Sequence, residues 1–243
     1  KLHNEYSSLY ESLFKHPEPY IKIVSVLGKK ATGMTRKELV DKYKLDESGA
    51  LTKYLEELEE CGFIRKYNAF EKKSKGSVYQ LIDNYTLFYF KFIKEADGDE
   101  DFWTNSLNTP LQNSWCGYAF ERVCLQHIAQ IKQALGIGSV STRQCAWRAD
   151  GSLLQEGERG AQIDLLIDRK DDTINICELK WASAPFVIDS DYDMELRNKL
   201  SAFTRQTQTR KAVHTTMITT FGVKKNMYLD DYQSEIVLDD LFL

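Results

Sequence analysis

Two short segments in the second half constrain this chain more than any other feature. Residues 161–168 (AQIDLLID) and 173–181 (TINICELKW) are each short and largely apolar, and the turn Arg169-Lys170-Asp171-Asp172 separates them. That pattern predicts two adjacent strands joined as a hairpin. Side chains alternate faces along a strand. On the first segment Ile163, Leu165 and Ile167 are expected on one face, with Gln162, Asp164, Leu166 and Asp168 on the other. On the second, Ile174, Ile176, Glu178 and Lys180 share a face opposite Asn175, Cys177, Leu179 and Trp181. Two apolar strands therefore carry charges at regular positions. A carboxylate in such a strand needs an ion, a proton or a partner, because unpaired burial costs several kcal/mol.

If the strands pair, Asp164 and Glu178 converge on one cation, with Lys180 two residues along the same strand. Two hard carboxylate oxygens suit Mg²⁺ or Mn²⁺, which keeps waters and open positions for a phosphate oxygen. Such a cation lowers the pKa of a bound water, and a nearby lysine offsets developing charge. The alternative is a solvated hairpin in which Glu178 and Lys180 face water. The surroundings predict a helix over 115–135, with Phe120, Val123, Cys124, His127, Ile128 and Ile131 on its inner face, then a strand over 140–147. After the hairpin come a helix over 191–211 and strands over 213–220 and 236–238. Arg197, Lys199, Arg205 and Arg210 form a basic face on that helix, either lining a nucleic-acid groove or simply solvated.

The run QIDLLIDRKDDTINICELKWA resembles the core of the PD-(D/E)XK, or restriction-endonuclease-like, nucleases. There an acid on one strand is followed by Glu-x-Lys on the next. The resemblance implies catalytic roles for Asp164, Glu178 and Lys180. It adds Glu121, in WCGYAFERVC, as a helical glutamate assisting metal or water binding. Metal ligation would then fall to Asp164, Glu178 and Glu121. The acid here follows Ile163 where the family pattern has Pro.

The first half reads differently. A helix is expected over 20–27, ended by Gly28, and Thr35 then caps a helix over 36–43 with Glu38 at the capping-box position. A third helix over 48–61 places Leu51, Leu55 and Leu58 at helical spacing, and Gly62 stops it. Strands near 63–67 and 78–82 flank the turn Lys72-Lys73-Ser74-Lys75-Gly76. The run LTKYLEELEECGFI resembles the third helix and wing start of a winged helix-turn-helix. That likeness implies DNA contact through Ser48, Thr52 and Lys53, with the wing lysines Lys72, Lys73 and Lys75 touching the backbone. Glu56, Glu57, Glu59 and Glu60 on the same helix repel phosphates, and winged helices also serve as protein-contact modules. A helix over 84–94 carries an aromatic packing stripe of Tyr85, Phe88, Tyr89 and Phe92.

The expected organisation is thus α/β, α+β overall. A winged helix-turn-helix domain with flanking helices spans 1–97, and a restriction-endonuclease-like mixed-sheet domain spans 98–243. Charge supplies no argument for DNA: residues 17–97 carry net +2 and residues 98–243 net −6. The five cysteines are scattered and read as reduced core residues, with Cys116, Cys124 and His127 lacking a zinc-site spacing. No apolar run approaches a membrane span and no targeting pattern follows Lys1, so a cytoplasmic protein without membrane contact is expected. The segments GMTRKELV, DNYTLFYFKFI, GYAFERVC…HI…IKQALGI, GAQIDLLIDR, ICELKWA and DDLFL also resemble the region following the ATPase domain in archaeal and bacterial AAA/STAND-like ATPases. That resemblance implies an ATPase upstream; no GxxxxGK[ST] lies in this chain, so no ATP site is expected here. Three functions follow as expectations: metal-dependent DNA hydrolysis coupled to that ATPase, an inactive DNA- or protein-binding regulatory module, or a transcription regulator.

Overall fold

The computed structural model describes residues 2–43, 49–70, 77–94, 101–153, 160–228 and 232–242. The chain is a mixed α/β protein and divides into two compact units. One comprises Lys1–Tyr67 and Ser74–Asn113, the other Asn68–Lys73 and Ser114–Leu243. The expected division at 97/98 falls within residues 95–100, outside the described residues.

The first unit opens with helix α1 (Leu2–Leu13), which sequence reasoning did not anticipate. Its Tyr6 and Tyr10, with Phe14 just beyond, recur every four residues and are buried as one stripe. Helix α2 (Glu18–Leu27), strand β1 (Met34–Thr35) and helix α3 (Arg36–Tyr43) follow. The capping box at the start of α3 is present: the Glu38 amide donates to Thr35 Oγ1 at 3.1 Å, and the Thr35 amide donates to Glu38 Oε2 at 2.8 Å. Helix α4 (Gly49–Glu60) buries Leu51, Leu55 and Leu58, as its spacing requires. It ends in a Schellman turn. The Gly62 and Phe63 amides donate to Glu59 and Leu58, and Gly62 sits at φ +76°.

Strands β2 (Ile64–Ala69) and β3 (Val78–Leu81) pair antiparallel, Ile64 opposite Leu81, and β1 pairs with β3. Helix α5 (Asn84–Phe88) is capped by Asp83, which accepts from the Thr86 amide, and continues through a π-helical turn, Tyr89–Ile93. The aromatic stripe is a packing surface: Tyr89 stacks on Tyr6 at 3.9 Å, and Phe88 and Phe92 meet Trp103 of the short helix α6 (Phe102–Asn105).

Helix α7 (Pro110–Gln126) leads into the second unit, followed by α8 (Ile128–Ala134). The single helix expected over 115–135 is broken at His127. The backbone leaves helical geometry there (φ −110°, ψ 34°), and the His127 amide bonds three residues back, to Cys124. The sheet consists of β4 (Thr142–Arg148), β5 (Gln162–Arg169), β6 (Thr173–Lys180), β7 (Ala212–Thr219) and β8 (Ser234–Val237), side by side in that order. The pairs β4–β5 and β5–β6 are antiparallel; β6–β7 and β7–β8 are parallel. Asn68 and Ala69, which group with this unit, add parallel to Cys145 and Ala146.

Helix α9 (Ser190–Thr207) is the crossover that parallel β6 and β7 require. Asp189 caps it, accepting from the Tyr192 amide at 2.9 Å. One apolar cluster joins Leu165, Ile167, Cys177 and Ile218 to Phe120, Cys124 and Ile131 of α7 and α8. Another joins Leu166, Ile174 and Ile176 to Ala202 and Phe203 of α9. Strand β6 is hydrogen-bonded on both edges and packed on both faces. Among the described residues no helix is long and apolar enough to cross a membrane.

Candidate active site at the end of the central strand

Strand β6 ends in the sequence Cys177-Glu178-Leu179-Lys180, and the alternation sorts these residues cleanly. Cys177 and Leu179 enter the cluster with α7 and α8. Glu178 points the other way, toward α9, and is 5% exposed. A carboxylate this enclosed requires compensation, and α9 supplies it. Lys199 Nζ lies 2.7 Å from Glu178 Oε1, and the Tyr192 hydroxyl donates to Oε2 at 3.2 Å. Burial, then the neighbouring Glu178 charge, pushes the Tyr192 phenol far above its ordinary range, so it stays a donor. Lys180 Nζ sits 4.7 Å from the centre of the Tyr192 ring, a cation–π contact. One tyrosine thus touches both charged residues of the Glu-Leu-Lys run.

Asp164 is next along β5. The β5–β6 ladder runs from Asp168 opposite Ile174 to Leu165 opposite Cys177, so Asp164 and Glu178 are the following residue on each strand. The register against β4 shifts at this point: Cys145 pairs with Leu166, but Trp147 pairs with Ile163, leaving an extra residue on β5. Strict alternation therefore fails here. Ile163 joins Trp147 and Leu166 in one cluster while Leu165 and Ile167 enter the other, where the sequence had all three isoleucine and leucine side chains on one face. Bulges of this kind re-aim side chains and are common beside active sites. Asp164 is half-buried and accepts from Gln162 Nε2 at 2.5 Å; Gln162 in turn accepts from Arg148 at 2.8 Å.

Glu121, on α7, forms an ion pair with its neighbour Arg122, whose fully buried guanidinium lies 4.4 Å from the Tyr118 ring centre. Among the described residues no three His, Cys, Asp or Glu side chains gather as a metal-binding group. Mg²⁺ is commonly held by one or two carboxylates plus water and phosphate oxygens. The hard-oxygen donors at corresponding positions on the two paired strands are Asp164 and Glu178.

Lys199 and Tyr192 were missed as site residues. Sequence reasoning grouped Lys199 with Arg197, Arg205 and Arg210 on one basic face, either lining a nucleic-acid groove or solvated. Arg197 is indeed outward, paired with Asp193 at 2.7 Å, and Arg205 donates to the Leu153 carbonyl. Lys199 instead falls on the stripe of buried Leu196 and Phe203, three residues after one and four before the other. A lysine on an apolar stripe needs a counter-charge, and that signal was available. Beside it, a cleft of about 730 Å³ is lined by Gln162, Asp189, Tyr192, Glu195, Asn198 and Lys199, among others.

In the first unit, Thr52 and Lys53 are exposed, and Lys53 lies 3.7 Å from Glu57. Ser48, Lys72, Lys73 and Lys75 lie outside the described residues. Cys124, Cys145 and Cys177 are buried as expected; Cys116 is half-buried, and Cys61 is exposed, contrary to a core role. No protein-family model, curated protein or solved structure matches the chain.

Proposed function

We propose that the second unit is a restriction-endonuclease-like module that hydrolyses DNA phosphodiester bonds with Mg²⁺ or Mn²⁺ at Asp164 and Glu178. The carrying observation is Glu178: a buried carboxylate at the end of the central strand, with Lys180 two residues on and Asp164 next along the paired strand. A divalent cation held there supplies positive charge to the phosphate and lowers the pKa of a coordinated water. The chain's own residues do the rest. Tyr192 and Lys199 fix the Glu178 carboxylate, Gln162 fixes Asp164, and Lys180 offers an ammonium to the charge developing on phosphate. In this proposal the first unit is a winged helix-turn-helix, supported by the order α2–α3–α4–β2–β3, and the whole region serves an upstream ATPase.

The test is cleavage of plasmid, linear and single-stranded DNA with Mg²⁺ or Mn²⁺ against EDTA. Asp164→Asn and Glu178→Gln should each abolish cleavage, while Lys180→Ala should slow turnover with smaller loss of metal affinity. Cleavage that persists in both carboxylate variants overturns the assignment. One observation favours a second reading, a non-catalytic binding module: Lys199 already neutralises Glu178 from within the protein. That reading takes over if the chain binds DNA or a protein partner, takes up no Mn²⁺ and cuts no DNA.

A further inference from the structure

Lys199 has two acidic neighbours rather than one. Its ammonium is 2.7 Å from Glu178 and 3.7 Å from Glu195, one helical turn earlier on α9. The two carboxylates differ sharply in surroundings: the Glu178 side chain is 6% exposed and that of Glu195 is 57% exposed. Both Lys199 and Glu195 line the cleft. In the structure the shorter contact goes to the buried carboxylate, where compensation is worth most.

We infer that Lys199 is an internal cation that a divalent metal must displace, and that Glu195 receives it. This rests on the reading of Asp164 and Glu178 as metal ligands. Two positive groups on the same buried carboxylate repel strongly, because little water lies between them to screen the interaction. With a divalent cation held at Glu178, the Lys199 ammonium would keep Glu195 as its partner on the cleft side. Glu195 already stands within ion-pair distance of that ammonium, at 3.7 Å, and is the carboxylate left to hold it. The released ammonium then faces the cleft, where a phosphate group of the substrate would meet it. Lys199 is a positioning residue in this scheme: it holds Glu178 ready without metal and becomes an anion contact with metal. A purely structural lysine would behave differently, since removing it would loosen the fold without tightening metal binding.

The experiment is titration calorimetry of the full chain with Mn²⁺, using wild type, Lys199→Met, Glu195→Gln and Asp164→Asn. Removing the competing charge should tighten Mn²⁺ binding by about tenfold in Lys199→Met. Glu195→Gln removes the receiving group and should weaken binding by roughly threefold, the scale of an exposed ion pair. Asp164→Asn should abolish uptake. If wild type binds Mn²⁺ through Asp164 but neither lysine nor glutamate variant changes the affinity, displacement is overturned and the metal site stands. If neither wild type nor Lys199→Met takes up Mn²⁺, both fall. Should Lys199→Met not fold, Glu195→Gln decides alone, because it leaves the Lys199–Glu178 pair intact: an unchanged affinity overturns the inference.

Discussion

Glu38 in the first unit and Glu178 in the second are both glutamates with a lysine at 2.7 Å, yet they are held in opposite ways. Glu38 stands at the start of α3 with its side chain 42% exposed. Its partners are Thr35, three residues away, and Lys30, eight away. Glu178 is enclosed in the sheet, and its partners Tyr192 and Lys199 come from a different element, 14 and 21 residues later. The first is a local device that water also helps to satisfy. The second exists only once the crossover helix has packed on β6. Removing a partner should therefore cost far more in the second unit than in the first.

The largest effect should come from Lys199→Ala. Breaking a buried pair by removing one partner leaves an uncompensated charge and typically costs about 3–5 kcal/mol. The double replacement Glu178→Leu with Lys199→Met removes both charges and should recover most of that loss, since buried pairs contribute little net stability. Urea unfolding of the two variants measures both values. A Lys199→Ala cost no greater than that of an exposed pair would erase the contrast with Glu38.

Next in size is Gly62→Ala. Gly62 holds a left-handed conformation at the end of α4, where an L side chain costs about 1–2 kcal/mol. The cost is local and needs no distant partner. Thr35→Ala should follow at about 1 kcal/mol, through loss of the hydrogen bond to the Glu38 amide. If Thr35→Ala rivals Lys199→Ala, local and distant satisfaction do not differ in the way proposed here.

The same contrast explains what could be read from the residues in order. The Thr35–Glu38 box, the Gly62 stop and the Leu51, Leu55, Leu58 stripe depend on neighbours a few positions apart, and the structure has all of them. The mixed α/β character and the β5–β6 hairpin were legible for the same reason, through period and turn chemistry. The bulge at Asp164 was not, because an extra residue on β5 shows only against β4, whose register depends on packing. The His127 break was hidden too, since its helical stripe of apolar residues continues on both sides. Helix α1 was passed over because its buried positions are Tyr6 and Tyr10, residues at home on a surface as well as in a core. The pairing of Lys199 with Glu178 was not foreseen, because its charge was given more weight than its position on the Leu196–Phe203 stripe.

The smallest effect is a pH dependence that isolates Glu38. Burial alone would raise its pKa, but hydrogen bonds from Lys30 and Thr35 and the Lys30 charge outweigh it, holding the carboxyl below the ordinary 4.5. A carboxylate depressed on folding adds stability above its unfolded pKa, and that stability is lost as pH falls through the folded value. Glu38→Gln keeps the side-chain length and the acceptor for the Thr35 amide while removing the charge, so it serves as the reference. The stability difference between wild type and Glu38→Gln should be constant near neutral pH, shrink as pH falls below about 4.5, and vanish at the acidic end. Groups that titrate alike in both proteins cancel. Because Glu38 is 42% exposed, solvent screens the Lys30 interaction, and about 1 M salt should reduce the neutral-pH difference further. A difference that grows on acidification would reverse the sign and mean that the neutral form of Glu38 is the one the fold prefers. A difference unmoved by salt would place its origin in the stronger hydrogen bond that a charged acceptor takes from Thr35 rather than in the Lys30 charge.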